Sequence, residues 1–392
     1  LCSRNRVTSA DGKEYAIRDK NGRLLVEPEI AENYKNFKND KIIKISTTPY
    51  IGNEDEIIDA SSLIMMPGFI DVHIHGSNGV DFMDASKEDI KNIATSLYQE
   101  GVTSFLATTL TSDTESLEKV CKVIKEAKEE VPSLVGIHFE GPYISKKYKG
   151  AQNEQYIRDC SIEEFDYLNK ISGNNVKYIT LAVENDKALE FIKHAKESGV
   201  TCSVGHSDAT FDDVAKAIEV GLTNTTHTHN AMSGHHHRNP GVVSAAMYFD
   251  SLYTEVILDG VHVCPNTVKT FYKIVGPDRF MIITDALKVK HSSLNEFKLF
   301  GLDCIKKEDA AYLCAGPLAG SLLSFDQGVR NLKQYVNNIS LIDLMKCSSY
   351  NASKSLHLTD RGLIKEGLLA DFVLLDESLH VKSVYKAGKK VY

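Results

Sequence analysis

The strongest constraint in this sequence is an alternation. Between Gly68 and Asp285, short apolar runs recur at Gly68–His75, Val102–Leu110, Leu134–Glu140, Lys177–Glu184, Thr201–His206, Thr223–His227, Glu255–Asp259 and Arg279–Asp285. Stretches of helical period lie between them. Val120, Val123, Ile124 and Ala127 fall at i, i+3, i+4 and i+7, and so do Ala188, Phe191, Ile192 and Ala195, the spacing of one buried helix face. Ser161 with Glu164 reads as a capping box, and Thr210–Asp213 as a second helix start. Runs made mostly of apolar, small and β-branched residues suit strands buried on both faces, as in a parallel sheet covered by helices. Eight such units predict an α/β fold, a (β/α)8 barrel of the TIM type. An open doubly wound sheet is the alternative that periodicity alone leaves open.

The chain has 392 residues, more than the roughly 250 that such a barrel takes. The surplus lies at the ends, where Ala16–Ile30, Lys41–Ser46, Ala370–Asp376 and Val381–Tyr392 alternate polar and apolar residues and predict short strands with turns. The formal charge of −8 speaks against nucleic acid or an acidic membrane surface as partner. No apolar run is long enough to cross a bilayer, and the opening LCSRNRVTSADG has no apolar core of a secretory signal. The eight cysteines form no CxxC pair and read as reduced thiols, so a cytoplasmic location is expected.

In a barrel, chemistry gathers at the C-terminal ends of the strands. The first run ends in His73-Ile-His75, the third in Glu140, the fifth in His206, the sixth in His227 and the eighth in Asp285. All are metal-ligand types. His73 and His75 stand two apart on a strand, so their side chains share one side. Each residue has a plainer reading alone: a core histidine pair, a satisfied buried acid, a helix cap. Six of them at five strand ends of one sheet point to a metal centre, and imidazole with carboxylate suits Zn2+ or Fe2+, one or two ions per chain.

The series PGFIDVHIHG, HFEGP, GHSDAT, THTHNAM, RNPG, DGVH, TDA and LAGS resembles the amidohydrolase superfamily and, within it, the N-acetylglucosamine-6-phosphate deacetylases. The resemblance runs in order from Pro67 to Asp371. It implies a barrel over residues 67–357 and a small β-sandwich domain formed from both termini, residues 1–66 and 358–392. It implies hydrolysis of N-acetylglucosamine 6-phosphate to glucosamine 6-phosphate and acetate in amino sugar catabolism. Glu140, His206 and His227 would hold the principal metal and His73 and His75 a second. Asp285 would act as general base and acid. Ala151, Gln152, Asn230, Ala231, Asp259, His262, Leu318, Ala319 and Gly320 would border the substrate, the last three as a loop. Arg238 would bind the phosphate of a neighbouring subunit in a homodimer.

Some positions depart from the family pattern. Gln152 stands where members often carry His, and Asn239 replaces the usual Glu of Arg-Glu-Pro-Gly. His229 and the run His235–His237 are additional. Three consecutive side chains cannot all face one ion on a regular element, so the run reads as loop histidines. Another amidohydrolase chemistry (a deaminase, a dihydroorotase, an amino-acid deacetylase) and a catalytically dead barrel used for binding are the competing readings.

Overall fold

The computed structural model describes residues 5–8, 14–18, 40–45, 56–60, 62–299, 301–308 and 310–392. The eight apolar runs form a single parallel sheet ordered as in the sequence. Its strands are β1 (Phe69–Ile74), β2 (Val102–Thr108), β3 (Leu134–Glu140), β4 (Val176–Leu181), β5 (Thr201–Val204), β6 (Leu222–Thr225), β7 (Tyr253–Ile257) and β8 (Phe280–Ile283). β1, β2, β3 and β8 are buried at every position, because helices cover their outer face and their inner side chains fill the barrel. The open-sheet alternative falls at the join of β8 to β1. There the Asp285 amide donates to the His73 carbonyl at 2.8 Å, and the Thr284 hydroxyl donates to the buried Asp71 carboxylate at 2.6 Å. Burial pushes the Asp71 carboxyl up to about 6, against the hydrogen bond from Thr284.

The helices follow the apolar spacing. Ala188, Phe191, Ile192 and Ala195 form the buried face of Ala188–Glu197, and Val120, Ile124 and Ala127 belong to that of Thr114–Lys128. The two helix starts come out the other way round. Thr210 and Asp213 make the reciprocal capping box, whereas at Ser161 only half of one forms. The Glu164 carboxylate is drawn instead to Arg158 at 2.6 Å and to the Tyr143 hydroxyl at 2.9 Å, where a guanidinium outcompetes a single backbone N–H.

Both ends of the chain build small antiparallel and mixed sheets. One contains Ile42–Ile45, Asn5–Thr8, Glu14–Arg18 and Glu56–Asp59; the other contains Lys389–Lys390, Val381–Lys386, Phe372–Leu375 and Ile64–Pro67. Ile42 and Ile58 of the first share an apolar cluster with Phe372, Leu374 and Tyr385 of the second. Val373 and Leu375, on the opposite face of the same strand, join the barrel core. Period-two patterning thus lets one strand serve two cores. Most of the expected strand Ala16–Ile30 beyond Arg18 lies outside the described residues, as does Ser46.

One sheet was not expected. Residues 296–321 form a four-stranded meander of Glu296–Leu299, Leu302–Lys306, Ala310–Leu313 and Leu318–Ser321. The expected loop at Leu318–Gly320 is therefore an edge strand. The signal was present: Phe297 and Leu299 are buried while Glu296 and Lys298 are exposed, a strict alternation. Ser321 ties the meander to the barrel, its amide donating to the Asp285 carbonyl at 2.9 Å.

Thr284→Val would leave the buried Asp71 without its hydroxyl donor. A loss of about 1–3 kcal/mol in unfolding free energy is expected, read from urea denaturation monitored by circular dichroism.

Candidate active site

The strand ends carry the chemistry because the backbone turns sharply there. His206, His227 and Asp285 each lie two residues beyond their strand and take left-handed φ values of 48°, 29° and 49°. Such conformations are costly for residues with a Cβ and persist where the surroundings enforce them. Each turn swings a side chain inward over the barrel mouth. Gly205 makes the approach feasible, since a Cβ there would stand 2.6 Å from the Cβ of Thr226.

The side chains converge on Glu140, which is 2% exposed. His206 Nε2 lies 3.1 Å and His227 Nε2 3.0 Å from Glu140 Oε1, and the two nitrogens are 3.1 Å apart. On the other side His73 Nε2 is 3.3 Å from the same oxygen, and His75 Nε2 is 3.2 Å from Oε2. Asp285 Oδ1 stands 3.2 Å from His75 Nε2 and 3.5 Å from His73 Nε2. His73 Nε2 makes no hydrogen bond despite complete burial, and neither does His75 Nδ1 or His227 Nδ1.

These residues fit a divalent cation. Ligands about 2.0–2.1 Å from one tetrahedral Zn2+ stand about 3.3 Å from each other, close to the triangle that Glu140, His206 and His227 already form. A second triad, His73, His75 and Glu140, shares the carboxylate. Charge balance agrees. Burial opposes the charge on His75, but Asp285 and Glu140 raise its pKa to about 9, and His73 is likewise held well above its ordinary value. Burial pushes Glu140 up, yet His73 and the neighbouring imidazoles outweigh it and hold the carboxyl well below its usual range. The cluster calls for positive charge, which a metal supplies in place of protons.

Above the cluster is a cavity of about 290 Å³. His75, Glu140, His206, His227 and Asp285 form its floor. Ala151, Gln152, Asn230, Ala231, His262, Leu318, Ala319 and Gly320 form its walls. Gln152 meets the floor directly: its amide donates to Glu140 Oε2 at 2.6 Å while its oxygen accepts from the Thr111 amide at 2.7 Å. Asp259 does not line the cavity. It sits behind His262, accepting from the ring at 2.6 Å, and it raises the His262 pKa against the opposing effect of burial.

Arg238 is also absent from this cavity. It is exposed, donates to His237 Nε2 at 2.8 Å and lines a separate cleft with Asp208, Phe211 and Pro240. The histidine run gathers no metal-ligand cluster among the described residues. His235 bonds Ser244, and His236 accepts from the Arg238 and Asn239 amides. His229 is a packing residue, 4.7 Å from the ring of Phe271, with burial driving its pKa to about 4.

Sequence reasoning missed Lys147, Tyr148 and Glu255. Lys147 and Tyr148 line the cavity from the same loop as Gln152, and the basic run KKYK ahead of it was the available signal. The Tyr148 carbonyl accepts from His206 Nδ1 at 2.8 Å, which turns Nε2 toward Glu140. Glu255 is a lone carboxylate within the apolar strand β7 and bonds His73 Nδ1 at 3.0 Å.

The model of the amidohydrolase family matches residues 64–391. This chain belongs to the amidohydrolase family. It is 38% identical over 356 residues to an N-acetylglucosamine-6-phosphate deacetylase of Lysinibacillus sphaericus, covering 90% of this chain and 92% of that one. Its fold superposes on the crystal structure of N-acetylglucosamine-6-phosphate deacetylase from Thermotoga maritima with a TM-score of 0.82 at 35% identity, covering 91% and 94% of the two chains. A point variant of the Mycobacterium smegmatis deacetylase in complex with N-acetyl-D-glucosamine-6-phosphate gives a TM-score of 0.84 at 28% identity, with 91% and 93% covered.

Glu140→Gln replaces the shared carboxylate by a neutral amide. Metal content per chain, measured by elemental analysis after gel filtration, is expected to fall well below that of the wild type, with activity falling in parallel. Unchanged metal content would show that Glu140 is no ligand.

Proposed function

We propose that this amidohydrolase hydrolyses N-acetyl-D-glucosamine 6-phosphate to D-glucosamine 6-phosphate and acetate, a step of amino sugar catabolism. One observation carries the mechanism: Asp285 faces the cavity within 3.2–3.5 Å of the His75 and His73 nitrogens, beside a preassembled ligand set. A divalent cation held by Glu140, His206 and His227, with a second at His73 and His75, would polarise the amide carbonyl and acidify the attacking water. The mixed imidazole–carboxylate donors suit Zn2+ or Fe2+.

The remaining steps fall to the chain's own groups. Burial pushes the Asp285 carboxyl up, but positive charge at His73 and the hydrogen bond from His75 outweigh it and keep it below its usual range, and a cation held by those imidazoles would supply the same positive charge. Asp285 is thus a carboxylate, able to take a proton from water and return it to the departing sugar nitrogen. His262, held by Asp259, offers its other ring nitrogen to the sugar hydroxyls. Ala151 and the Leu318–Gly320 strand enclose the ring. Gln152 donates to Glu140, so its work is to orient that carboxylate.

Asp285→Asn is expected to lower kcat by about 10²–10⁴-fold while metal content and thermal unfolding stay as in the wild type. Acetate release from the 6-phosphate measures it. Retention of half the wild-type kcat would remove Asp285 from the proton-transfer role.

The phosphate requires cations, and Lys147 is the one Lys or Arg among the described residues of the cavity wall. We assign Arg238 to the phosphate of a partner subunit, in a homodimer, since within its own chain it lines another cleft. The described cysteines are unpaired, which supports a reducing, cytoplasmic setting. A charge-assisted contact contributes about 1.5–3 kcal/mol, so Arg238→Ala should raise KM for the 6-phosphate roughly 10- to 150-fold. KM for unphosphorylated N-acetylglucosamine should not change. An Arg238→Ala chain mixed with an Asp285→Asn chain should regain activity through heterodimers. No gain after verified subunit exchange would place Arg238 outside the partner's site.

A further inference from the structure

Glu255 has no part in the reaction as described, yet it touches both halves of the metal-ligand set. It lies within β7 and is completely buried. Its Oε2 accepts from His73 Nδ1 at 3.0 Å and from the His227 backbone amide at 3.2 Å. Its Oε1 accepts from the hydroxyl of Tyr178, itself fully buried. Among the described residues its one ion-pair partner is His73. A fully buried carboxylate with no lysine or arginine beside it is expensive to keep in a barrel interior unless other positive charge lies close by. His73 and His227 belong to the two different ligand triads, one on β1 and one beyond β6. Glu140 joins those triads from the cavity side, and Glu255 joins them from behind.

We propose that Glu255 is a positioning residue: it fixes His73 as the Nδ1–H tautomer, so that Nε2 keeps its lone pair free for a metal on the side of Glu140 and Asp285, and it anchors the His227 turn, so that both triads depend on one buried negative charge. The inference rests on the metal-dependent reading above. A carboxylate behind a ligating imidazole sets its tautomer and raises its basicity. The contrast within the His-Ile-His pair fits. His73 has this partner, while Nδ1 of His75 has none. Tyr178 keeps its proton, because burial and then Glu255 raise its pKa well above the ordinary value, and it remains a donor to Oε1.

Glu255→Gln tests the charge with little change of shape. The side-chain oxygen can still accept from His73 and from the His227 amide, and the new NH2 can donate to the Tyr178 oxygen. Zn2+ affinity is measured by competition with a chromophoric chelator, and metal per chain by elemental analysis. The variant is expected to hold its weaker ion about 10- to 100-fold less tightly, and the d–d bands of the Co2+-substituted protein should shift. Equal affinity and equal spectra in the two proteins would overturn the proposal. A wild type that binds no divalent ion would instead overturn the functional reading beneath it. Should the variant fail to fold, 15N imidazole NMR of the zinc-loaded wild type decides. A protonated Nδ1 on His73 supports the proposal, and a protonated Nε2 overturns it.

Discussion

The structure is organised around a single carboxylate. Four imidazole nitrogens stand within 3.0–3.3 Å of the Glu140 oxygens, and they arrive from β1, β5 and β6 while the acid itself ends β3. An arrangement of this kind cannot be stable by hydrogen bonding alone. His206 Nε2 and His227 Nε2 face each other at 3.1 Å, and His73 Nε2 is buried with no hydrogen bond at all. What reconciles these contacts is shared positive charge. The barrel supplies rigid strand ends, and the residues on them are matched to a cation in number, type and spacing.

Much of this was legible in the sequence because the signals were local or periodic. The eight apolar runs could be read from burial on both faces. The ligand types at their ends could be read because strand ends are where barrel chemistry sits. Glu255 escaped because it acts through contacts made only in three dimensions. Glu255 looks like an odd charge in Tyr253–Ile257 until His73, nearly two hundred positions away, is seen to bond it. The capping reading at Ser161 failed for the same reason. Glu164 had a local partner available, but Arg158 and Tyr143, brought to it by the loop after β3, were better ones. The meander at 296–321 does carry a period-two signal at Glu296–Leu299, so its first strand is legible in the sequence.

The left-handed turns at His206, His227 and Asp285 show where local preference yields to function. In an ordinary barrel the chain leaves a strand through Gly or Asn at such a φ. Here the positions are held by residues whose side chains the site needs. The compensation is visible nearby: the His206 carbonyl accepts from the Ser145 amide, the Thr228 amide donates to the Glu255 carbonyl, and the Asp285 backbone is bonded to both His73 and Ser321.

That last pair of bonds has a consequence for how the protein can change. The floor of the cavity belongs to the barrel, but the wall at Leu318–Gly320 belongs to a meander joined to the floor at Ser321, through Asp285, Leu287 and the Thr284 carbonyl, and seated on the barrel core by Phe297, Leu299, Cys304 and Ala311. Insertions or deletions in the turns of the meander would reshape this wall and leave every metal ligand where it is. Substrate breadth can therefore drift through the length and composition of residues 300–317 while the hydrolytic machinery stays constant.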